Sequence, residues 1–292
     1  MNYENPLIVQ GDRSLLLDVH APLAEECRNA LIPFAELEKS PEHLHTYKLT
    51  PLSLWNAASA GFSAEDAVNV LNKYARYDVP QSVVAWINEV SGRFGKIRLI
   101  EVPKTKDDEE QYLSLQAQNE AIYREIGANT AVKKMLMPVV PELVEGPQKN
   151  AYLIKLTDRG TIKQLLLEAG WPVKDEVALT DGEPLDISLK TQTTSGQPLV
   201  IRDYQTSAAK ALVGDKGPGT GFGTIVLPCG SGTTIVGMQI MDMLKTSTLI
   251  ITTNISAVHQ WIDELLDKTN LTADDISEYT GESKEIIRPQ GR

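Results

Sequence analysis

Cysteine is nearly absent: Cys27 and Cys229 are the two in 292 residues. Too few and too far apart, they exclude a disulfide framework and a cysteine-based zinc site. Positive charge is also short, with 28 Lys and Arg against 39 Asp and Glu and a formal net charge of −11. No polybasic run occurs, so the chain as a whole repels nucleic acid. Any DNA contact must come from local groups such as helix N-termini or a small basic patch. Long apolar runs are missing too, and the start, MNYENPLIVQGDRS, has no basic n-region or apolar core. Neither a secretory signal nor a membrane-spanning helix is expected, which makes the cytoplasm the default location.

What is present has the balance of a globular protein, 42% hydrophobic and 23% charged, at a length that favours two or three domains. Residues 1–95 open with two strand candidates, PLIVQ and SLLLDV, around the turn GDR. LAEECRNALIPFAELE has apolar residues at helical spacing, and TPLSLWNAASAG is a helix that stops at Gly61. Ser63 and Asp66 form a capping box for SAEDAVNVLNKYA, and PQSVVAWINEVSG is a further helix ending at Gly92. With the strand KIRLIEV these helices suit a winged-helix-like module, a type that binds DNA or protein. The acidity favours protein.

Residues 96–198 read as a small α/β domain: KIRLIEV, the acidic loop KDDEE at 106–110, a helix around QNEAIYREI and the strand AYLIKL at 151–156. RGTIKQLLLEAGWPV follows as a helix, with Thr161 and Gln164 as a capping box, Ile162, Leu165, Leu166 and Ala169 on one face, and Gly170 at its end. The polar stretch TQTTSGQP, 191–198, is the linker expected before the last region.

Residues 199–292 change character. TIVLP (224–228) and TLIIT (248–252) are short apolar runs of the kind buried in a parallel sheet. TIVGMQIMDML between them is apolar almost all round, and SAVHQWIDELL after them carries Val258, Trp261, Ile262, Leu265 and Leu266 on one face. Strand, glycine turn, helix, strand, helix is a βαβ pattern, and the turn lies where a phosphate meets a helix N-terminus. Without a ligand, the same residues could make a tight strand-to-helix turn.

Five segments then occur in a telling order: HTYKLTPLSLWNAASAG (45–61), RGTIKQLLLEAGWPV (159–173), IRDYQ (201–205), VLPCGSGTTIVGM (226–238) and LIITTNISAVHQW (249–261). Together they resemble the amino-terminal half of the bacterial XPB-type helicases of superfamily 2, over almost the whole chain. The resemblance implies ATP-driven 3′-to-5′ unwinding of duplex DNA in repair, with ATP and Mg²⁺ as cofactors. DNA, held weakly by this acidic chain, and a nuclease or other protein are the implied partners. It implies an α/β multidomain fold: an accessory domain over 1–95, a damage-recognition-like domain over 96–198 and part of a RecA-like motor domain over 199–292. By position, Gly230, Ser231, Gly232, Thr233 and Thr234 fall in the Walker A loop, with the Thr234 hydroxyl on Mg²⁺. Arg202 and Gln205 match the adenine-reading motif, and Thr252, Thr253 and Asn254 match a motif that grips a DNA backbone. Gln205 could equally be an ordinary surface glutamine, Trp261 reads as core, and Cys229 reads as a small buried residue beside the loop.

Two departures bear on activity. Thr233 stands where the family has the lysine that reaches the β- and γ-phosphates. A charge pair at contact is worth about 4 kcal/mol at an effective dielectric of 20, or about three orders of magnitude in rate. Lys245 is a poor substitute, about 16 Å along the following helix at 1.5 Å per residue. The sequence also reaches Arg292 without a DExH segment. These departures lead us to expect a chain without ATPase activity of its own, and leave open a decayed helicase, a DNA- or protein-binding module, or half of a split enzyme.

Overall fold

The computed structural model describes residues 4–102, 111–139, 149–214 and 221–285. The chain divides into two units, Met1–Val177 and Ala178–Arg292. Both contain helices, and the first holds two β-sheets.

In the first unit the two opening apolar runs become β1 (Leu7–Val9) and β2 (Ser14–Asp18), antiparallel with Leu7 opposite Leu17. Helix α1 (Ala24–Leu31) is shorter than its spacing suggests, because Pro33 cannot continue a helix. The residues beyond it, expected as helix, form β3 (Glu36–Lys39), an exposed edge strand on β4 (Leu44–Lys48). Glu36, Glu38 and Lys39 charge that edge, a common guard against pairing with another chain. The sheet runs β1-β2-β4-β3, antiparallel throughout.

Three helices pack on this sheet: α2 (Pro51–Ser59), α3 (Ala64–Tyr74) and α4 (Gln81–Ser91). The Ser63–Asp66 capping box forms as expected: Asp66 N–H donates to Ser63 Oγ at 3.1 Å, and Ser63 N–H donates to Asp66 Oδ2 at 2.8 Å. Leu15, Leu17, Leu31, Phe34, Leu54, Leu71 and Ile87 form the core. Trp55 Nε1 ties α2 to α4 by donating to the Val90 carbonyl at 2.9 Å.

The winged-helix expectation needs KIRLIEV beside these helices. That strand, β5 (Ile97–Glu101), pairs in a second sheet instead. Its partners are β6 (Tyr112–Ala117) and β9 (Val173–Asp175); β7 (Met137–Pro138) and β8 (Ala151–Lys155) complete the order β7-β8-β6-β5-β9. The β5–β9 pair is parallel and the others are antiparallel. Helices α5 (Glu120–Ala128) and α6 (Arg159–Glu168) bury Ile122, Ile126, Ile162 and Leu166 against it. KDDEE lies outside the described residues.

The capping box expected at Thr161 and Gln164 does not form. Helix α6 begins earlier, at Arg159 after Asp158, so both residues lie within it, and Gln164 Nε2 donates to Glu168 at 2.8 Å. The earlier start puts Arg159 and Lys163 one turn apart on a face aimed at Asp175. Arg159 Nε and Nη2 donate to that carboxylate at 2.9 and 3.0 Å, and Lys163 Nζ donates at 2.8 Å. These cations hold α6 to the end of β9.

The second unit contains α7 (Asp203–Val213), α8 (Thr233–Leu244) and α9 (Ile255–Lys268). Its core joins Leu185, Ile187, Met238, Met241, Leu265 and Leu271. Residues 178–198 thus belong with the carboxy-terminal unit, twenty or so residues being too few for a core of their own. The expected linker 191–198 is a pinned turn: Thr193 N–H donates to Gln197 at 2.8 Å, and Thr194 N–H donates to Asp267 Oδ1 at 2.9 Å. The helices of the βαβ pattern form, but TIVLP and TLIIT gain no ladder partner among the described residues and are not strands. Val226, Leu249 and Ile251 are consequently 86%, 78% and 84% exposed.

Burial works against ionisation of Asp175, but hydrogen bonds from Arg159 and Lys163 outweigh it and hold the carboxyl below its ordinary value. A depressed carboxylate stabilises the fold above its unfolded pKa, and this contribution is lost as pH falls through about 4 and below. Asp175→Asn is expected to cost about 3 kcal/mol at neutral pH, because two cations lose their counter-charge. Urea unfolding at pH 7 and pH 3 checks it: the gap between the two proteins should narrow in acid.

Candidate nucleotide site

The glycine loop between the extended segment 224–228 and α8 is a tight, self-bonded turn. The Pro228 carbonyl accepts from Ser231 N–H at 3.1 Å and from Ser231 Oγ at 2.6 Å. Gly230 and Gly232 both have φ of +77°, a conformation that costs glycine little and other residues more. Helix α8 starts directly after, so Thr233 and Thr234 sit in its first turn. Backbone N–H groups there have no intrahelical acceptor, and the helix dipole adds partial positive charge.

Helix α7 closes one side of the loop. Gln205 is buried and uses both ends of its amide: Oε1 accepts from Arg202 N–H at 2.9 Å, and Nε2 donates to the Ser231 carbonyl at 2.9 Å. Tyr204 Oη donates to the same carbonyl at 2.7 Å. Gln205 is therefore not an ordinary surface glutamine. A Cβ on Gly232 would stand 2.6 Å from Gln205 Nε2, so glycine is needed there for close approach as well as for its φ. Thr206 Oγ1 adds a second tie, donating to Gln239 of α8 at 3.0 Å. Arg202 is exposed, its guanidinium 3.5 Å from Tyr204 Oη.

Thr252, Thr253 and Asn254 come together at the start of α9. Asn254 is the N-cap, its Oδ1 accepting from Ala257 N–H at 2.8 Å, and Thr252 Oγ1 donates to the Asn254 carbonyl at 3.0 Å. Asn254 Nδ2 lies 3.4 Å from Thr253 Oγ1. Lys245 ends α8, where its Nζ meets Asp242 at 2.5 Å and the Ile187 carbonyl. It is committed far from the loop. Trp261 packs with the core as expected, over Gly237.

Cys229 is exposed, which corrects the expectation of a buried residue. The reason is the unpaired segment before it: without a sheet behind TIVLP, the foot of the loop stays open. Tyr204 is the contact that sequence reasoning missed as a site residue. The signal was its place beside Gln205, within one helical turn of a residue expected to face the loop. Among the described residues no three His, Cys, Asp or Glu side chains gather as a metal site.

Comparison with known proteins adds the following. Residues 7–140 match the family model described as helicase conserved C-terminal domain, and residues 198–290 match type III restriction enzyme, res subunit. The chain is 40% identical to the DNA 3'-5' helicase XPB of Kineococcus radiotolerans over 97% of its own length and 47% of that protein's. The XPB helicase of Mycobacterium tuberculosis is also 40% identical, with the same two coverages, 97% and 47%. The XPB/SSL2 helicase/translocase subunit of the general transcription and DNA repair factor IIH of Saccharomyces cerevisiae is 25% identical over 97% of this chain and 38% of that subunit. The chain thus spans about half the length, or less, of these relatives.

Gly237 lets α8 approach α9, since a Cβ there would lie 2.6 Å from Trp261 Cη2. Alanine in a helix interior normally gains about 1 kcal/mol over glycine. Here overpacking opposes that gain and should reverse it, for a net loss of about 1–2 kcal/mol in Gly237→Ala. Urea unfolding followed by tryptophan fluorescence measures the sign; a stabilised variant would show that Trp261 does not pack on Gly237.

Proposed function

We propose, from the premise that this chain corresponds to the amino-terminal half of an XPB-type DNA helicase, that it carries the accessory and first motor segments of an ATP-driven 3′-to-5′ DNA translocase whose phosphate loop has lost its cation. The observation that carries this reading is the docking of the adenine-motif residues of α7 on the glycine loop through the Ser231 carbonyl. A glycine turn of purely structural use has no need of that partner. On this reading residues 1–95 are the accessory part and the second sheet with its helices, ending near Val177, is the damage-recognition-like part. The remainder belongs to a RecA-like motor domain. DNA repair and a protein partner such as a nuclease come with the family.

Each site residue has a role on this reading. Gly230, Ser231 and Gly232 wrap the phosphates with backbone N–H groups, and Thr233 and Thr234 present the N–H groups of the first turn of α8. The Thr234 hydroxyl is the one protein ligand for Mg²⁺ in this loop, which suits an ion that takes its other oxygens from phosphate and water. Arg202 and Gln205 flank the adenine. Thr252, Thr253 and Asn254 present the start of α9 to a DNA phosphate. With a net charge of −11, DNA binding is weak and salt-sensitive. The exposed Val226, Leu249 and Ile251 suit a motor sheet completed by further strands, whichever polypeptide carries them.

Thr233 offers no charge to the β- and γ-phosphates, so the natural chain binds Mg·ATP weakly. Thr233→Lys should tighten it by roughly tenfold to a hundredfold, a surface-screened fraction of the contact value. Calorimetry on both proteins is the check. Equal affinity in the two chains would remove the phosphate-loop reading.

A further inference from the structure

The geometry points to Tyr204 as a positioning residue of the glycine loop, acting with Gln205 to aim a backbone donor at phosphate through capture of the Ser231 carbonyl. This rests on the reading of the loop as a phosphate site. The peptide unit between Ser231 and Gly232 is trans and planar, so its C=O and its N–H point in opposite directions. Tyr204 Oη at 2.7 Å and Gln205 Nε2 at 2.9 Å hold the carbonyl toward α7. The Gly232 N–H is thereby turned to the side away from α7, next to the first-turn N–H groups of α8.

Two donors on one carbonyl fix the tilt of the peptide plane better than one, because an acceptor with two lone pairs is then fully used. The lock matters more in this chain than in one with the lysine. With Thr233 in that place, the loop has only oriented backbone dipoles to offer an anion, and those work through direction. Gln205 has a double duty that constrains its chemistry. Its Oε1 caps Arg202 N–H while its Nε2 serves the loop, so the side chain is held at both ends. In this arrangement one N–H and one lone pair of its amide are already engaged, so it acts on the phosphates through the loop whatever contact its remaining donor and acceptor make with a base.

The lock and base reading predict different selectivity, which makes them separable. Tyr204→Phe removes only the hydroxyl. Gln205→Glu keeps the acceptor for Arg202 N–H and removes the donor to Ser231. The first measurement needs no nucleotide: the amide resonance of Gly232 and its hydrogen exchange, in the natural chain and the double variant. We expect the resonance to move and exchange to quicken by about tenfold or more. An unmoved Gly232 amide in the double variant would overturn the proposal. The second measurement uses the Thr233→Lys chain, with ATP, GTP and tripolyphosphate as probes. Tyr204→Phe should weaken all three by a similar factor, roughly three- to tenfold for one lost hydrogen bond. A loss confined to ATP would overturn positioning in favour of a base contact. If the Thr233→Lys chain binds none of the three probes, the phosphate-site reading falls and the proposed aim of the donor falls with it, whatever the amide resonance shows.

Discussion

An extended segment becomes a strand only when another backbone lies alongside it, because its N–H and C=O groups have no partners within the segment. That constraint sorts this chain. In the first unit, nine short segments find neighbours and close into two sheets. Their apolar faces are covered by α1 to α4 in one case and by α5 and α6 in the other. In the second unit TIVLP and TLIIT are at least as apolar, yet among the described residues neither is paired. The helices there build the core with Leu185 and Ile187. Hydrophobicity brings such segments together; the ladder decides whether they become a sheet.

The same need for partners shapes the glycine loop. Two of its carbonyls are engaged, Pro228 with Ser231 and Ser231 with α7, and on the proposed reading the N–H groups at the start of α8 face an anion. On that reading Thr233 brings no full charge, and the short-range cradle is what remains. Attraction from a full charge tolerates imperfect geometry, whereas hydrogen bonds from backbone amides weaken steeply off axis. A loop of this composition therefore depends on the residues that set its orientation. One of them, Tyr204, belongs to a different helix.

The first unit uses a charged interaction where a local cap is missing. Helix α6 has no side-chain cap, and the Arg159–Asp175–Lys163 cluster anchors its first turn to β9. The arrangement consumes two of the few cations in the chain. Basic residues of the RGTIKQ segment that could suggest a nucleic-acid surface are instead internal counter-charges. The net charge of −11 points the same way.

How much was legible in advance follows from the range of each interaction. Helices α2, α3, α5, α8 and α9 could be placed from sequence because caps, glycine stops and 3.6-residue spacing act within a few residues. The positive φ of Gly61 and Gly170 was implied by their place after apolar periods. The glycine turn, the IRDYQ segment before it and the family they resemble could also be read along the chain. The start of α6, the fate of FAELE as strand β3, the sheet joined by KIRLIEV and the exposure of Cys229 could not. The first three depend on a partner outside the element itself, near or far along the chain: Asp175 for α6, β4 for β3, β6 and β9 for KIRLIEV; Cys229 is exposed because the segment before it has no ladder partner among the described residues. Local propensity proposes an element, and tertiary pairing decides whether it stands. The sequence by itself determined the loop, its missing charge and most of the helices, since backbone conformation and capping are local. Only the tertiary structure decided that Tyr204 and Gln205 meet on one carbonyl, because that contact joins a helix and a turn separated by a long stretch of chain.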